Sequence, residues 1–591
     1  MNLMAAISLF RKLLWQLRRR ITERQFLLLT SVAVGVLAGG ASITLKTFVF
    51  FVQDYLKNLR ITETWSYGLV FLPLVGMLIT VFLIKTFWEN TFLKGIGAIV
   101  DSVRNKDGKL PFSQTYNHIF TSGITVGFGA SAGVEAPIVA TGAALGSNVA
   151  DFVQLRHKDR TLMLACGIAA GIAASFNAPI AGVLFATEVF LVDISLASIV
   201  PVMLASATGA LLSKIILNES ILLHFEMKGA FNSDNFPFYI ILGILTGLLS
   251  IWFSVVSKRV NALLGRFENV YVRATVAGLV LAGFVLIFPS FYGEGYYSIK
   301  DLANFHMYHL FEGSILGNFA ERKTWFFILA VLASALLKPI ATSLTLGGGG
   351  NGGQFAPSLF IGANAGFAFA QACHKFGFLS VSISNFTIVA MAGVLSGFFF
   401  APMSAIFLIA ELTHGYELMI PLMVVSALSY SVAVRFSSAK DRKAKPKPSA
   451  DRQVLEKLHI LRLMESDYDP LKSSMSIQEF IPILEGSVHN TFPVLGENGE
   501  LVGILAFGKV KDWIFRKEYA DVMTIGKLMR PPASIIQAEE DSMSLILEKF
   551  DSTKAFRLPV VGEGNKYLGF ITKGLILSEY RKEILSDSSA S

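Results

Sequence analysis

Two distant stretches of this sequence read alike: residues 133–146 are GVEAPIVATGAALG, and residues 353–366 are GQFAPSLFIGANAG. Six positions carry the same residue at one constant offset, including the glycines that open and close each stretch. A shorter motif, Phe-x-Ala-Pro, also recurs, at 176–179 and 399–402. The chain therefore contains two related halves. Repeats with Gly/Pro-interrupted segments at matching positions are typical of transporters whose binding site lies between the halves.

The repeated stretches have the composition of a helix start. Pro137 and Pro357 suit a first turn, where the missing N–H costs nothing, and glycine lets the backbone approach closely. A helix that begins at membrane depth directs free N–H groups and a positive dipole end at an anion. We therefore predict an anion site formed by such helices. Its predicted lining residues are Gly133, Ala136, Gly353, Phe355 and Ala356.

Glu135 is the acidic residue of the first stretch. A carboxylate at the start of a broken helix can occupy the anion site itself, and protonation would cancel its attraction and release it. The same group could then gate conduction and carry a proton. A capping acid is the simpler alternative, but ionisable groups inside membrane segments are costly and usually functional.

The composition requires a membrane. Of 591 residues, 53% are hydrophobic and only 16% are charged, which is more apolar surface than soluble domains bury. A spanning helix needs about 20 mostly apolar residues. Such stretches occur at 27–45, 68–87, 196–216, 237–256, 325–347, 384–411 and 418–436.

Basic residues flank the apolar region at both ends. Residues 1–25 predict a cytoplasmic amphipathic helix, and several lysines follow the last span, between 440 and 447. By the positive-inside rule both termini are cytoplasmic, so the number of crossings is even. The net charge of +8 lies largely in these flanks and indicates anionic lipid headgroups rather than nucleic acid as the partner. Cys166 and Cys373 have neither disulfide nor metal-ligand spacing, and no cofactor is predicted.

The motifs together resemble the CLC family of chloride channels and proton-coupled chloride transporters. Residues 133–137 are similar to its Gly-x-Glu-x-Pro motif and residues 353–357 to Gly-x-Phe-x-Pro, while 93–97 occupies the place of Gly-Ser-Gly-Ile-Pro. The resemblance covers about 26–437. It implies an all-α polytopic membrane domain of two inverted repeats with broken helices, a homodimer, one chloride pathway per subunit, and Lys94, Gly95 and Ile96 as further anion-binding residues.

Three departures from the family pattern affect the predicted mechanism. Lys94 stands where chloride-transporting members usually have a serine, and it could either add charge to the site or snorkel to an aqueous vestibule. Val189, after Glu188, replaces the internal proton-accepting glutamate of antiporters. This favours passive conduction gated by Glu135; the alternative is a proton-coupled antiporter with an unconventional proton path. The family's central-pore tyrosine has no equivalent in 437–447.

After a Lys/Pro/Ser-rich linker, 438–463, the chain changes to a soluble α/β pattern. It resembles a pair of CBS modules, at 464–516 and 521–585. Nucleotide-binding CBS sites commonly end in a hydroxyl residue followed three positions later by aspartate. The corresponding pairs here are Ala506 with Lys509 and Thr572 with Leu575. We therefore expect a structural tail, with nucleotide binding as the weaker alternative.

Two rival classes remain from the sequence. Residues 129–133 match the Gly-x-Ser-x-Gly elbow of serine hydrolases. That elbow needs a strand-to-helix turn and a histidine partner, and Ser131 has neither in its sequence context. An enzyme is therefore not expected. A sensor anchored by the membrane part is the other class, but an anchor would not need a duplicated Gly/Glu/Pro motif.

Overall fold

The computed structural model describes residues 20–58, 68–89, 91–95, 97, 99, 102, 108–190, 196–217, 232–303, 311, 324–413, 415–437, 458, 460–514, 523–539, 541–553 and 555–589. The chain divides into two compact units, Met1–Lys447 and Pro448–Ser591. Residues 1–19 of the predicted amphipathic helix, most of the predicted linker and Ile96 lie outside the described residues.

Helices make up most of the described part of the first unit, and short connections join them. Its first half contains α1 (Glu23–Asn58), α2 (Leu72–Phe87), α3 (Asn117–Gly127), α4 (Glu135–Phe152), α5 (His157–Phe176), α6 (Pro179–Val189) and α7 (Leu196–Leu217). Its second half contains α8 (Phe236–Leu264), α9 (Val270–Ile287), α10 (Tyr296–Ala303), α11 (Thr324–Gly347), α12 (Phe355–Lys375), α13 (Ile383–Phe399), α14 (Pro402–Thr413) and α15 (Met419–Phe436).

Eight helices in the described part of the chain are long and apolar enough to cross a membrane. Two of them, α5 and α9, are missing from the spans predicted by hydropathy. The predicted single span over 384–411 is wrong, because the chain breaks between α13 and α14. Phe400 adopts the left-handed conformation there, with φ 55°, and Pro402 starts the next helix. Asn177, with φ 52°, makes the same break between α5 and α6.

The two halves repeat the same helix packing. Gly142 and Gly146 let α4 lie directly on α5, since an added Cβ would be 2.3 and 2.0 Å from the backbone carbonyls of Gly167 and Met163. Their counterparts in α12, Gly362 and Gly366, lie equally close to α13. Small residues four apart allow close contact between helices in a membrane. The fold class predicted from the repeat is thus confirmed.

The second unit contains two copies of a small sheet. The strands are β1 (Leu471–Lys472), β2 (Thr491–Leu495), β3 (Leu501–Ala506), β4 (Ile536–Gln537), β5 (Arg557–Val561) and β6 (Tyr567–Thr572), in the orders β1-β2-β3 and β4-β5-β6. The helices are α16 (Ile460–Leu463), α17 (Ile477–Gly486), α18 (Phe507–Ile514), α19 (Ile525–Leu528), α20 (Met543–Thr553) and α21 (Lys573–Ser589). Both copies share one register: Val494 pairs with Gly503, and Val560 with Gly569.

Candidate functional site

The two repeated motifs meet inside the membrane unit. Gly133 donates its N–H to the carbonyl of Gly353 at 2.9 Å, and Gly353 donates back to Gly133 at 2.6 Å. Helices α4 and α12 begin two residues after these glycines, at Glu135 and Phe355. The reciprocal pairing aligns two helix N-termini at one place. Such an arrangement concentrates unpaired N–H groups where an anion is stabilised.

Glu135 lies at this meeting point and is only 1% exposed. Its Oε1 accepts a hydrogen bond from the Tyr296 hydroxyl at 2.6 Å. Its Oε2 borders Gly133, where an added Cβ would lie 2.1 Å from that oxygen and 3.1 Å from the Ala356 amide nitrogen. Oε2 has no hydrogen-bond partner of good geometry among the described residues. The carboxylate therefore stands at the position that two helix starts make favourable for an anion.

The remaining predicted lining residues surround this carboxylate. Ala136 and Ala356 are the second residues of α4 and α12, and Pro137 and Pro357 are the third residues. An added Cβ at Gly353 would be 2.8 Å from the Ala136 side chain, so the two helix starts are in direct contact. All of these predicted residues come together.

Lys94 and Gly95 belong to the third predicted motif. Lys94 Nζ donates to the carbonyl of Leu346 at 2.5 Å, at the C-terminal end of α11, and the residue is exposed. Gly95 adopts φ +82°, a conformation that favours glycine. The lysine thus satisfies a helix-end carbonyl, where a cation also complements the helix dipole.

Val189 ends α6 and is half-buried. Its neighbour Glu188 accepts hydrogen bonds from the backbone N–H and hydroxyl of Ser404 at 2.9 and 2.7 Å, at the start of α14. Glu411, its counterpart in the second half, accepts the N–H groups of Ile180 and Ala181 at the start of α6. Each acid therefore caps the broken helix of the other half.

An apolar cavity lies between the halves. Its lining comes from both repeats and is mostly aromatic and aliphatic: Ile172, Ala181, Phe185, Phe355, Leu395, Phe399, Ala401, Ser404 and Leu408. The Phe355 ring packs against Phe176 and Phe399, with ring centroids 5.5 and 5.6 Å apart. Since Phe355 starts α12, the cavity reaches the helix start that faces Glu135.

Sequence reasoning missed four polar residues in the group around Glu135 and the loop before α10. Tyr296 supplies the hydroxyl bond, and Glu294 Oε1 accepts the N–H of Val134 at 3.2 Å. Lys46, in α1, donates to the Ser175 carbonyl, and Lys338, in α11, is fully buried. Lys46 and Lys338 could have been found from the sequence, because each is a lone lysine in an apolar segment and such residues are usually functional.

Ser131 lacks the partners of a hydrolytic serine. Its N–H donates to Thr345 at 3.1 Å, and its buried hydroxyl has no hydrogen-bond partner in the described part of the chain. His118, the buried histidine of α3, pairs with Gln114 and Asn351 instead. A nucleophile with no base in reach does not support hydrolysis.

Broken helices in two repeats, an acid at their meeting point and a lipid-compatible exterior together define a polytopic membrane protein with a candidate anion site. Residues 76–434 match the family described as "Voltage gated chloride channel", and 460–515 and 525–582 match the CBS domain. The chain belongs to the voltage-gated chloride channel family, and it carries a CBS pair.

Relatives of known name are distant. "Chloride channel protein CLC-f" of Arabidopsis thaliana is 24% identical over 531 residues, which cover 78% of this chain and 64% of that protein. "H(+)/Cl(-) exchange transporter ClcA" of Yersinia pestis is 26% identical over 444 residues, covering 73% of this chain and 88% of that protein.

Two solved structures share the fold. One is titled as a slow cyanobacterial Cl⁻/H⁺ antiporter; it has a TM-score of 0.60 at 20% identity and covers 71% of this chain and 96% of its own. The other is titled as a eukaryotic CLC transporter; it has a TM-score of 0.58 at 18% identity and covers 95% of this chain and 98% of its own. Both likenesses extend the match from the sequence motifs to the three-dimensional fold.

Proposed function

We propose that this protein exchanges chloride, or another small anion, for protons across a membrane, with Glu135 as both gate and proton carrier. The observation that carries the proposal is the buried Glu135 carboxylate at the paired starts of α4 and α12. In its charged form it competes with an anion for the same N–H groups. Once protonated it loses that attraction, so one group links anion entry to proton binding.

Exchange is favoured here over the passive conduction that Val189 suggested in the sequence. The ClcA relatives are named as proton/chloride exchangers, and solved structures with the same fold are described as antiporters. Val189 removes one proton acceptor, but it leaves Glu135 and its hydrogen-bond partner Tyr296 intact. A different proton path would therefore suffice for coupling.

The assembly is proposed from the family resemblance, and the orientation from the basic flanks of the membrane part. We propose a homodimer with cytoplasmic termini, held by anionic lipid headgroups at its basic flanks. For the tail we propose a structural role. Of the two positions where a nucleotide-binding module would have a hydroxyl residue, only 572 has one. Thr572 Oγ1 accepts the N–H of Leu575 at 3.3 Å, so this hydroxyl caps the start of α21.

Chloride efflux from proteoliposomes, with external pH recorded at the same time, tests the proposal. A chloride gradient that drives protons uphill supports exchange, whereas chloride efflux without proton movement supports passive conduction. Efflux of neither would overturn chloride as the substrate. Fluoride efflux in a parallel experiment would then show whether a smaller anion takes its place.

A further inference from the structure

Glu135 is accompanied by a second carboxylate. Glu294 lies just before α10 and accepts the N–H of Val134, the residue that precedes Glu135. Two residues later, Tyr296 at the start of α10 donates to Glu135. One short segment thus reaches both sides of the α4 start. Glu294 is partly exposed, whereas Glu135 is almost completely buried, so Glu294 stands between Glu135 and solvent-accessible space.

Two lysines face this carboxyl pair. Lys338 is 0% exposed, and its Nζ has no hydrogen-bond partner among the described residues. It lies over the Phe360 ring at 4.6 Å and 3.5 Å from where a Cβ on Gly295 would stand, beside Glu294. Lys46 is the second, and it interacts electrostatically with both acids. A buried lysine without a hydrogen bond keeps its proton only beside an opposite charge, because isolated charges are too costly to bury, and Glu294 supplies that charge for Lys338.

The titratable groups that face Glu294 come from four helices. Glu135 lies on α4, Lys46 on α1, Lys338 on α11 and the Tyr296 hydroxyl on α10. With both acids ionised the two lysines balance them. Adding one proton to the pair leaves a net positive charge, which an anion entering the site would neutralise. Proton uptake and anion uptake are therefore favoured together.

We propose that Glu294 is the carboxyl group through which protons pass between Glu135 and the medium on one side of the membrane in this chain. In the transfer, one proton leaves the Glu294 carboxyl and binds the Glu135 carboxylate, so the charge of the pair does not change. The proposal rests on proton-coupled exchange. It gives that exchange a proton path on the side of α4 that faces the loop before α10.

The test uses the full chain in liposomes with a chloride gradient and a pH electrode. Glu294→Gln keeps the size and the acceptor oxygen but cannot take up a proton. Proton movement should fall by roughly a hundredfold, the scale of a lost acid-base group, while chloride flux persists. Glu417→Gln is the matched control, because Glu417 is an exposed acid before α15, and it should keep both fluxes.

The outcomes are distinct. Coupled transport in the unmodified protein and in Glu294→Gln would overturn this proposal alone, whereas chloride flux without protons in the unmodified protein would overturn the proposed exchange as well. Gel filtration of each variant reports folding. Glu294→Met, which also removes the carboxyl, is measured beside Glu294→Gln. Loss of coupling in whichever variant folds supports the proposal, and coupling at the unmodified ratio in either one contradicts it.

Discussion

At the first turn of α4, the Glu135 carboxylate occupies the proposed anion site. The Tyr296 hydroxyl holds Oε1 of Glu135 at 2.6 Å, and Oε2 faces the Ala356 amide. A charge-assisted hydrogen bond contributes about 1.5–3 kcal/mol. This hydrogen bond is stronger when Glu135 is ionised, so it favours the observed conformation most in the charged form.

Glu135→Gln should mimic the protonated gate. The Gln side chain can still accept from Tyr296, but it carries no charge to compete with chloride. We expect chloride flux to lose most of its dependence on pH and proton movement to stop. Flux measured between about pH 4 and 8 covers the range in which carboxyl groups titrate in proteins. An unchanged pH profile would remove Glu135 from the mechanism.

Lys94 has two possible roles, and its contacts favour one of them. Its bond to the Leu346 carbonyl predicts that Lys94→Ala lowers stability by about 0.3–1 kcal/mol, the value of a cation at a helix C-terminus. The chloride concentration for half-maximal flux should not change. If that concentration rises roughly tenfold, a loss of about 1.4 kcal/mol, Lys94 coordinates the anion instead.

Among the elements, the short broken helices are held by each other. Glu188 of α6 caps α14, and Glu411 of α14 caps α6. Isolated helices of this length are marginally stable in water, and helix ends inside a membrane need protein partners for their N–H groups. Glu188 and Glu411 supply those partners, so both helices can begin inside the membrane unit beside the cavity.

The close contact between α4 and α5 depends on glycine at position 142. Gly142→Ala should destabilise the protein by about 1–3 kcal/mol, as overpacking does, because its Cβ would press on the Gly167 carbonyl. Gly283→Ala is the control, since this exposed glycine of α9 has nothing within 4 Å of the added atom. It should be neutral or stabilising by up to about 1 kcal/mol. Thermal unfolding in detergent compares the two, and equal melting temperatures would contradict the packing argument.

The repeat predicted the starts of α4 and α12, because those features depend on local Gly and Pro chemistry. It marked the Phe-x-Ala-Pro motifs at 176–179 and 399–402 without predicting the breaks before α6 and α14. It did not predict Glu294 or Tyr296. Their loop meets α4 only through tertiary packing, and no spacing in the sequence links it to Glu135. Hydropathy likewise joined α13 to α14, since it does not detect a backbone reversal at Phe400.

At the scale of the whole molecule, the chain combines two units with separate cores. The main core of the membrane unit takes buried residues from helices of both halves, and each small sheet of the tail has its own apolar cluster. Every described residue of the proposed anion site lies in the first unit. Lipid covers the exterior of that unit, where Leu211, Ile215, Leu329 and other large apolar side chains are exposed.

A shortened chain that ends at Lys447 should therefore still move chloride. It keeps Glu135, both helix starts and the main membrane core, and it removes only the CBS pair. Gel filtration in detergent checks that it folds, and proteoliposome flux compares it with the full chain over the same pH range. An unchanged pH profile with an altered maximal rate would assign the tail a regulatory or stabilising role. Loss of all flux from a folded, shortened protein would show instead that the anion pathway depends on residues after Lys447.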